Sequence, residues 1–393
     1  MTDLSLYFSP VSTDIFESKH FTHQRMGHLI STYSNEGQFP GLDDVDIAII
    51  GVPENRGRDF QGTGLNGPDE IRRFFYQLFP ARKQINIVDL GNLLSGNTLE
   101  DTWVAVAEII SMLLEKSILP IIVGGGQHLS WANYKAYEKM GQIINIASVD
   151  SRFDIGENSS DSHSRSWLSR IILHQPNYLF NYTNIGYQTY FVDQDAIRLM
   201  KKMFFDTYRL GFVNQNIEEM EPMVRNADML SFDISSIRQS DAPGCANATP
   251  NGFYGEQACQ IMRFAGMSDK LTSLGIYEYD PEFDSNGQTA HLIAQMLWYF
   301  MEGFYNRMKD FPIKTKEQDH YFKYYVTIEG QKDEVIFYKS TKSDRWWMEV
   351  NCPTYLQTKF ARHYLVPCAY SDYQSACSND LPDRWWQVYQ KLM

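Results

Sequence analysis

No run in the 393-residue sequence approaches the ~20 apolar residues of a membrane-spanning helix, so no membrane insertion is expected. Cysteine is sparse: Cys245, Cys259, Cys352, Cys368 and Cys377 are scattered and form no C-x-x-C pair. An odd, dispersed set argues against a disulfide framework and fits reduced thiols, which predicts a cytoplasmic protein. Residues 1–10 have neither a basic start nor an apolar core, so no secretory signal is read there. Positive charge is in deficit, with 35 Lys and Arg against 48 Asp and Glu and a net charge of −13. That balance disfavours a nucleic acid or an anionic membrane as partner. Internal repeats and low-complexity tracts are also missing. What is present is 43% hydrophobic residues, enough for a large core, and aromatics that gather near the C-terminus in Trp346-Trp347 and Trp385-Trp386.

A prior of roughly 150 residues per domain suggests two or three units, though large α/β units exceed it. Residues 1–44 are mixed and polar and read as a helical or loop cover. Near-continuous apolar runs at residues 46–51, 85–90, 119–123, 143–149, 182–185, 229–232 and 271–277 read as strands covered on both faces. Helical patterns fall between them at residues 68–78, 102–116 and 131–140, and a long one closes the series at 289–308. The alternation predicts one three-layer α/β domain over residues 45–311, built on a doubly wound, mainly parallel sheet. After Pro312 the pattern changes. Residues 321–328, 334–338 and 346–350 are short β-branched or aromatic runs, and 383–392 reads as a helix. Residues 312–393 are therefore expected to form a small antiparallel β extension with a terminal helix.

The chemistry-bearing residues stand where predicted strands give way to loops, which is where open α/β sheets place their sites. They are Gly124-Gly125-Gly126-Gln127-His128, then Asp150-Ser151-Arg152-Phe153-Asp154, then Asp233-Ile234-Ser235. Around them lie Gly51-Val52-Pro53, Gly64, Gly67-Pro68, Ile71-Arg72, Ala242-Pro243-Gly244, Thr249-Pro250 and Gly252-Phe253. Further on come Glu278, Asp280-Pro281, Asp284, Gly287 and Thr289-Ala290. In order and spacing this set resembles the ureohydrolase family of arginase, agmatinase and formiminoglutamase. That family reads G-G-D-H, then D-A-H-x-D, then S-x-D-x-D. The resemblance runs from Gly51 to about Met301 and implies an arginase-like fold.

It also implies a site. The family hydrolyses linear C–N bonds with two divalent ions about 3.5–4 Å apart, bridged by a hydroxide. By position, His128, Asp150, Asp154 and Asp233 match metal ligands. Arg152 and Ser235 stand where the second ion needs His and Asp. A guanidinium has no lone pair and stays protonated, so a normal two-metal centre is not expected. Two readings stay open. In one, a single ion, Mn2+ by ligand type, sits among the four residues and Arg152 replaces the second. In the other, no ion binds, Arg152 forms bidentate pairs with the carboxylates and one or more Asp takes up a proton. Glu278 matches the family's guanidinium-binding position, which implies a small cationic ligand, against the ordinary reading of an acidic residue before a turn. His163 lies where arginases carry a proton-shuttling His, or is a surface histidine. Arg56 and Arg58 face the site or are solvated. The paired tryptophans stack on a ligand, form an assembly surface, or pack within a subdomain. A homo-oligomer is implied by resemblance alone. The functional expectation is a catalytically degenerate ureohydrolase-fold protein with a ligand-binding, scaffold or assembly role. The alternative is a one-metal hydrolase of a guanidino or formimino compound.

Overall fold

The computed structural model describes residues 4–16, 24–34, 38–59, 66–82, 85–156, 164–312, 320–330 and 333–393. In chain order the main domain and its leading segment comprise β1 (Phe8–Ser9), α1 (Met26–Leu29), β2 (Ser31–Thr32), β3 (Ile47–Gly51), α2 (Gly67–Phe75), β4 (Ile87–Leu93), α3 (Leu99–Glu115), β5 (Leu119–Val123), α4 (Leu129–Lys139) and β6 (Ile144–Val149). There follow α5 (Trp167–Leu173), β7 (Leu179–Tyr187), α6 (Gln194–Lys202), β8 (Asp206–Arg209), α7 (Leu210–Gln215), α8 (Met220–Arg225), β9 (Met229–Asp233), α9 (Gly255–Gly266), β10 (Ser273–Tyr277) and α10 (Gln288–Tyr305).

The strands form one ten-stranded sheet in the order β1-β4-β3-β5-β10-β9-β6-β7-β8, with β2 also on β4. Every pairing is parallel except β1 with β4. In β3, Ile47 and Ile49 join one core with residues of α9 and α10, while Ala48 and Ile50 join a second core with α3 and α4. A strand covered on both faces has no polar side to show, which is why these strands read as unbroken apolar runs. The leading segment does more than cover the domain, since β1 and β2 extend the sheet at its β4 side.

The C-terminal residues form a separate antiparallel sheet of β11 (Tyr321–Val326), β12 (Val335–Ser340), β13 (Trp346–Glu349) and β14 (Leu365–Cys368), followed by α11 (Tyr370–Cys377) and α12 (Asp383–Leu392). The expected meander is three of these strands, and β14 completes it. Trp346, Trp347 and Trp385 are buried, while Trp386 stays half exposed. This sheet packs where the main strands begin. His363 stacks on Phe180 of β7 at 4.4 Å between ring centroids, and its Nε2 lies 3.2 Å from the Ile143 carbonyl just before β6. Among the described residues, no helix is long and apolar enough to cross a membrane.

Candidate functional site

In the sheet β5, β10, β9 and β6 are successive neighbours. Their C-terminal ends therefore converge and bring together His128, Glu278, Asp233 and the Asp150–Asp154 loop. The turn after β5 is possible only with glycine. Gly124 and Gly125 have φ of +102° and +67°, and a Cβ on Gly125 would meet the Glu54 and Val52 carbonyls at 2.7 Å. The loop is pinned when Gly124 donates to the Ile276 carbonyl at 3.0 Å and Glu278 donates to the Gly125 carbonyl at 2.9 Å. Asp154 and Glu278 also take positive φ, +52° and +68°. Such backbones are uncommon for residues other than glycine and cluster at functional sites.

The three aspartates form one buried acidic cluster. Asp150 accepts from the Arg152 N–H at 2.8 Å, Asp233 from the Ser235 N–H at 2.6 Å, and Asp154 from the Trp167 indole at 3.0 Å. Burial, then the neighbouring Asp154 and Asp233, pushes the Asp150 carboxyl well above its ordinary value. Burial, then Glu278 and Asp154, does the same to Asp233. Burial raises Asp154 to about 6 against hydrogen bonds from Asp150 and Trp167. All three shifts run toward the protonated form, the direction expected when like charges share a desolvated space.

Arg152 does not supply that counter-cation. Its guanidinium lies over the Phe191 ring, 4.3 Å from the centroid, and its Nη1 donates to the Phe191 carbonyl at 3.3 Å. Among the described residues it forms no ion pair with a carboxylate, so the bidentate pairing of the ion-free reading is not seen among them. Burial, then Arg165, pulls Arg152 below its ordinary value despite the field of the three aspartates. A ring face and a carbonyl hold it in that position. Ser235 is turned to Asp233, donating to it from the backbone.

His128 is buried, and its Nδ1 accepts a hydrogen bond from the Trp103 indole at 2.9 Å. Burial lowers its pKa to about 4. The ring is therefore neutral with its proton on Nε2, a tautomer assigned from the indole contact. The indole thus occupies one ring nitrogen and leaves Nε2 as the one without a partner among the described residues. Nε2 of His128 and Oδ2 of Asp150 are buried with no hydrogen-bond partner among the described residues. Among those residues no group of three or more His, Cys, Asp or Glu is arranged to hold a metal ion. The donor set does not fit a two-metal centre.

Glu278 is saturated from within. Its Oε1 accepts from the Gln127 N–H at 2.7 Å and the Ser164 hydroxyl at 2.6 Å, and its Oε2 lies 3.1 Å from Arg58 Nε. Arg58 also donates to the Glu278 carbonyl at 3.1 Å and to Asp280 and Asn55 at 3.3 Å. Both partners of the Arg58–Glu278 pair are buried. Although burial works against it, Glu278 and Asp280 hold Arg58 above its ordinary value. The carboxylate expected to receive a ligand's guanidinium thus holds the chain's own. Arg56 is structural: it clasps Glu54 through both oxygens and donates to the carbonyls of Gly96 and Asn97 at 3.0 Å. His163 lies outside the described residues, as does Gly64. Sequence reasoning did not find Trp103, Trp167 or the Arg58 clasp. A buried indole N–H needs an acceptor, so the helical stripe holding Trp103 carried a usable hint. Arg58 stood among the residues that face the site or are solvated, and the structure takes it into the site, but nothing local named Glu278 as its partner.

A three-layer α/β sheet whose adjacent strand ends gather this acidic cluster defines an arginase-like protein. The arginase family model matches residues 45–302, and the chain belongs to that family. It is 24% identical over 296 residues to the formimidoylglutamase of Macrococcus caseolyticus, covering 71% of this chain and 90% of that one. The fold superimposes on the formimidoylglutamase of Bacillus subtilis with a TM-score of 0.65 at 19% identity, covering 75% of this chain and 95% of that one. It also superimposes on the Trypanosoma cruzi formiminoglutamase crystallised with Mn2+, with a TM-score of 0.63 at 20% identity over 72% and 99% of the chains.

Proposed function

We propose that this chain is an arginase-family protein that has given up two-metal hydrolysis and serves as a ligand-binding, scaffold or assembly component. One observation carries this reading. The positions that need a second ion's ligands hold Arg152 and Ser235, and Arg152 is turned onto Phe191 instead of into the acidic cluster. A closed polar network supports it, with Trp103 on His128 and Arg58 on Glu278. These side chains at the C-terminal end of the sheet are then engaged with one another. The relatives' activity, cleavage of a formimino C–N bond, is the natural alternative. The unpartnered Nε2 of His128 and Oδ2 of Asp150 favour it in a one-ion form. A cytoplasmic homo-oligomer is the setting in which both readings place the chain.

Elemental analysis of the purified protein after exposure to Mn2+, together with turnover of formiminoglutamate, arginine and agmatine, separates them. We expect less than one ion per chain and turnover at background. One tightly held ion with turnover above about 1 s⁻¹, within the ordinary enzyme range, would establish the one-metal hydrolase. Two ions per chain would overturn both readings.

A further inference from the structure

The opposite end of the sheet holds a second polar site. Where the main strands begin, a cavity of about 370 Å³ opens between the arginase-like domain and the C-terminal extension, lined by Asp269, Lys270, Arg307, Lys309, Phe311 and Arg362. Four of these six are cations, in a chain whose net charge is −13. Scattered surface lysines keep a protein soluble, but four cations around one concavity in an acidic protein focus a local positive field.

The cations are poorly compensated. Buried Asp228 accepts from Arg362 Nη2 at 2.6 Å, and the Lys270 ammonium stands 3.8 Å from its other oxygen. That second oxygen already accepts from the Asn145 N–H at 2.8 Å. Asp269 accepts from the N–H groups of Lys309 and Asp310 at 3.3 and 2.9 Å. Among the described residues, neither Arg307 nor Lys309 pairs with a carboxylate. Arg307 is fixed by neutral carbonyls, Nε to Gly266 at 2.8 Å and Nη2 to Leu271 at 3.0 Å, and it stacks on Phe304. That posture orients the guanidinium without neutralising it. Burial draws Lys270 down to about 8 and Arg307 to about 10, as expected for desolvated cations short of anions. Four cations against Asp228 and Asp269 leave two positive charges at the cavity.

We infer that this cavity binds a small organic dianion, with its charged groups, phosphate or carboxylate, on Arg307, Lys309, Lys270 and Arg362 and its apolar part against Phe311. Guanidinium and ammonium donors recognise phosphate and carboxylate alike, and the volume lies at the lower end of the range for small-molecule sites. The site is distinct from the acidic cluster, which lies at the other ends of the same strands. Its ligand would bridge the domain and the extension, because Arg362 comes from the extension and the other cations do not.

The test uses the full chain in thermal unfolding and titration calorimetry, with inorganic phosphate and succinate as probes against sodium chloride at matched ionic strength. We expect at least one probe to raise the melting temperature saturably where chloride does not. The probe that does so tells a phosphate source from a dicarboxylate one. Lys309→Glu, at an exposed position, and Arg362→Gln should each weaken that binding by about tenfold or more. Arg263→Gln, a half-buried cation elsewhere that pairs with Glu302, should leave it unchanged. If Arg362→Gln fails to fold, Lys309→Glu carries the comparison alone. Equal shifts from all three salts, or undiminished binding by Lys309→Glu, would overturn the inference.

Discussion

Arg58 and Glu278 show how one residue decides whether a site is open. Glu278 is legible in the sequence as an acidic residue in a family-like pattern and Arg58 as a cation that faces the site or is solvated, but their pairing is not. Arg58 lies 220 positions away in a glycine-rich loop, and only the assembled sheet brings them to 3.1 Å. Removing one member of a buried pair leaves the other charge unmatched and typically costs about 3–5 kcal/mol. Arg58→Gln should therefore destabilise the chain by that order in urea unfolding, and added arginine or guanidinium ion should restore part of the loss. A loss below about 1 kcal/mol would show that the clasp is loose. The same reasoning applies to Arg152, whose identity was readable but whose direction depends on Phe191, 39 positions on at the end of a 3-10 turn. Arg152→His with Ser235→Asp supplies both missing ligands. Elemental analysis should show a gain in bound Mn2+ for the double mutant and much less for either single one, since the two changes share a site. Adding Trp103→Phe frees the His128 nitrogen and should tighten that binding further. A folded triple mutant that binds no extra ion would mean that these positions are not the family's ligand positions.

At the level of elements, the parallel strands were legible because both their faces are covered, which writes an unbroken apolar run into the sequence. The shorter pieces were not. β8 and β14 have four residues each, too few for a pattern to stand out. α9 was missed for another reason. Its apolar positions Ala258, Ile261, Met262 and Ala265 do fall at helical spacing, but no Ser, Thr, Asp or Asn announces its start. Tyr254 takes the cap position, and its N–H is satisfied by the Gln257 side chain at 2.9 Å. α3 is the contrary case. Thr98 and Asp101 form a reciprocal capping box, with bonds of 3.1 and 2.8 Å, and the helix carries Trp103 onto His128. Thr98→Ala should cost about 1 kcal/mol, read as a lower urea midpoint at unchanged slope. If Trp103 sits on His128 only because α3 is firmly started, the same mutant should also bring His128 closer to an ordinary histidine titration in NMR.

The whole molecule is organised about the two ends of one sheet. The strand C-termini hold the acidic cluster, and the extension closes the strand N-termini. The joint is aromatic and cationic. Arg225 of α8 is buried, lies 4.3 Å over the Trp347 ring and donates to the Trp346 carbonyl at 3.1 Å, while Arg345 reaches back to Glu221 at 3.2 Å. Trp346 stacks on Tyr373 within the extension, and Phe180 of the main sheet shares a core with Trp385. Of the roles the sequence left open for Trp346 and Trp347, packing is the one their burial supports. Truncating a packed tryptophan to alanine costs about 3–5 kcal/mol. Trp346→Ala with Trp347→Ala should thus lower the melting temperature sharply, with the mass by light scattering unchanged at temperatures where the mutant is folded. Trp386, 47% exposed, is the control: Trp386→Ala should leave melting near that of the parent. A double mutant that melts normally but loses mass would assign Trp346 and Trp347 to an assembly surface. If the packing role holds, the same mutant loosens the extension from the strand N-termini, and its effect on phosphate or succinate binding reads out whether the cationic cavity needs both of its walls.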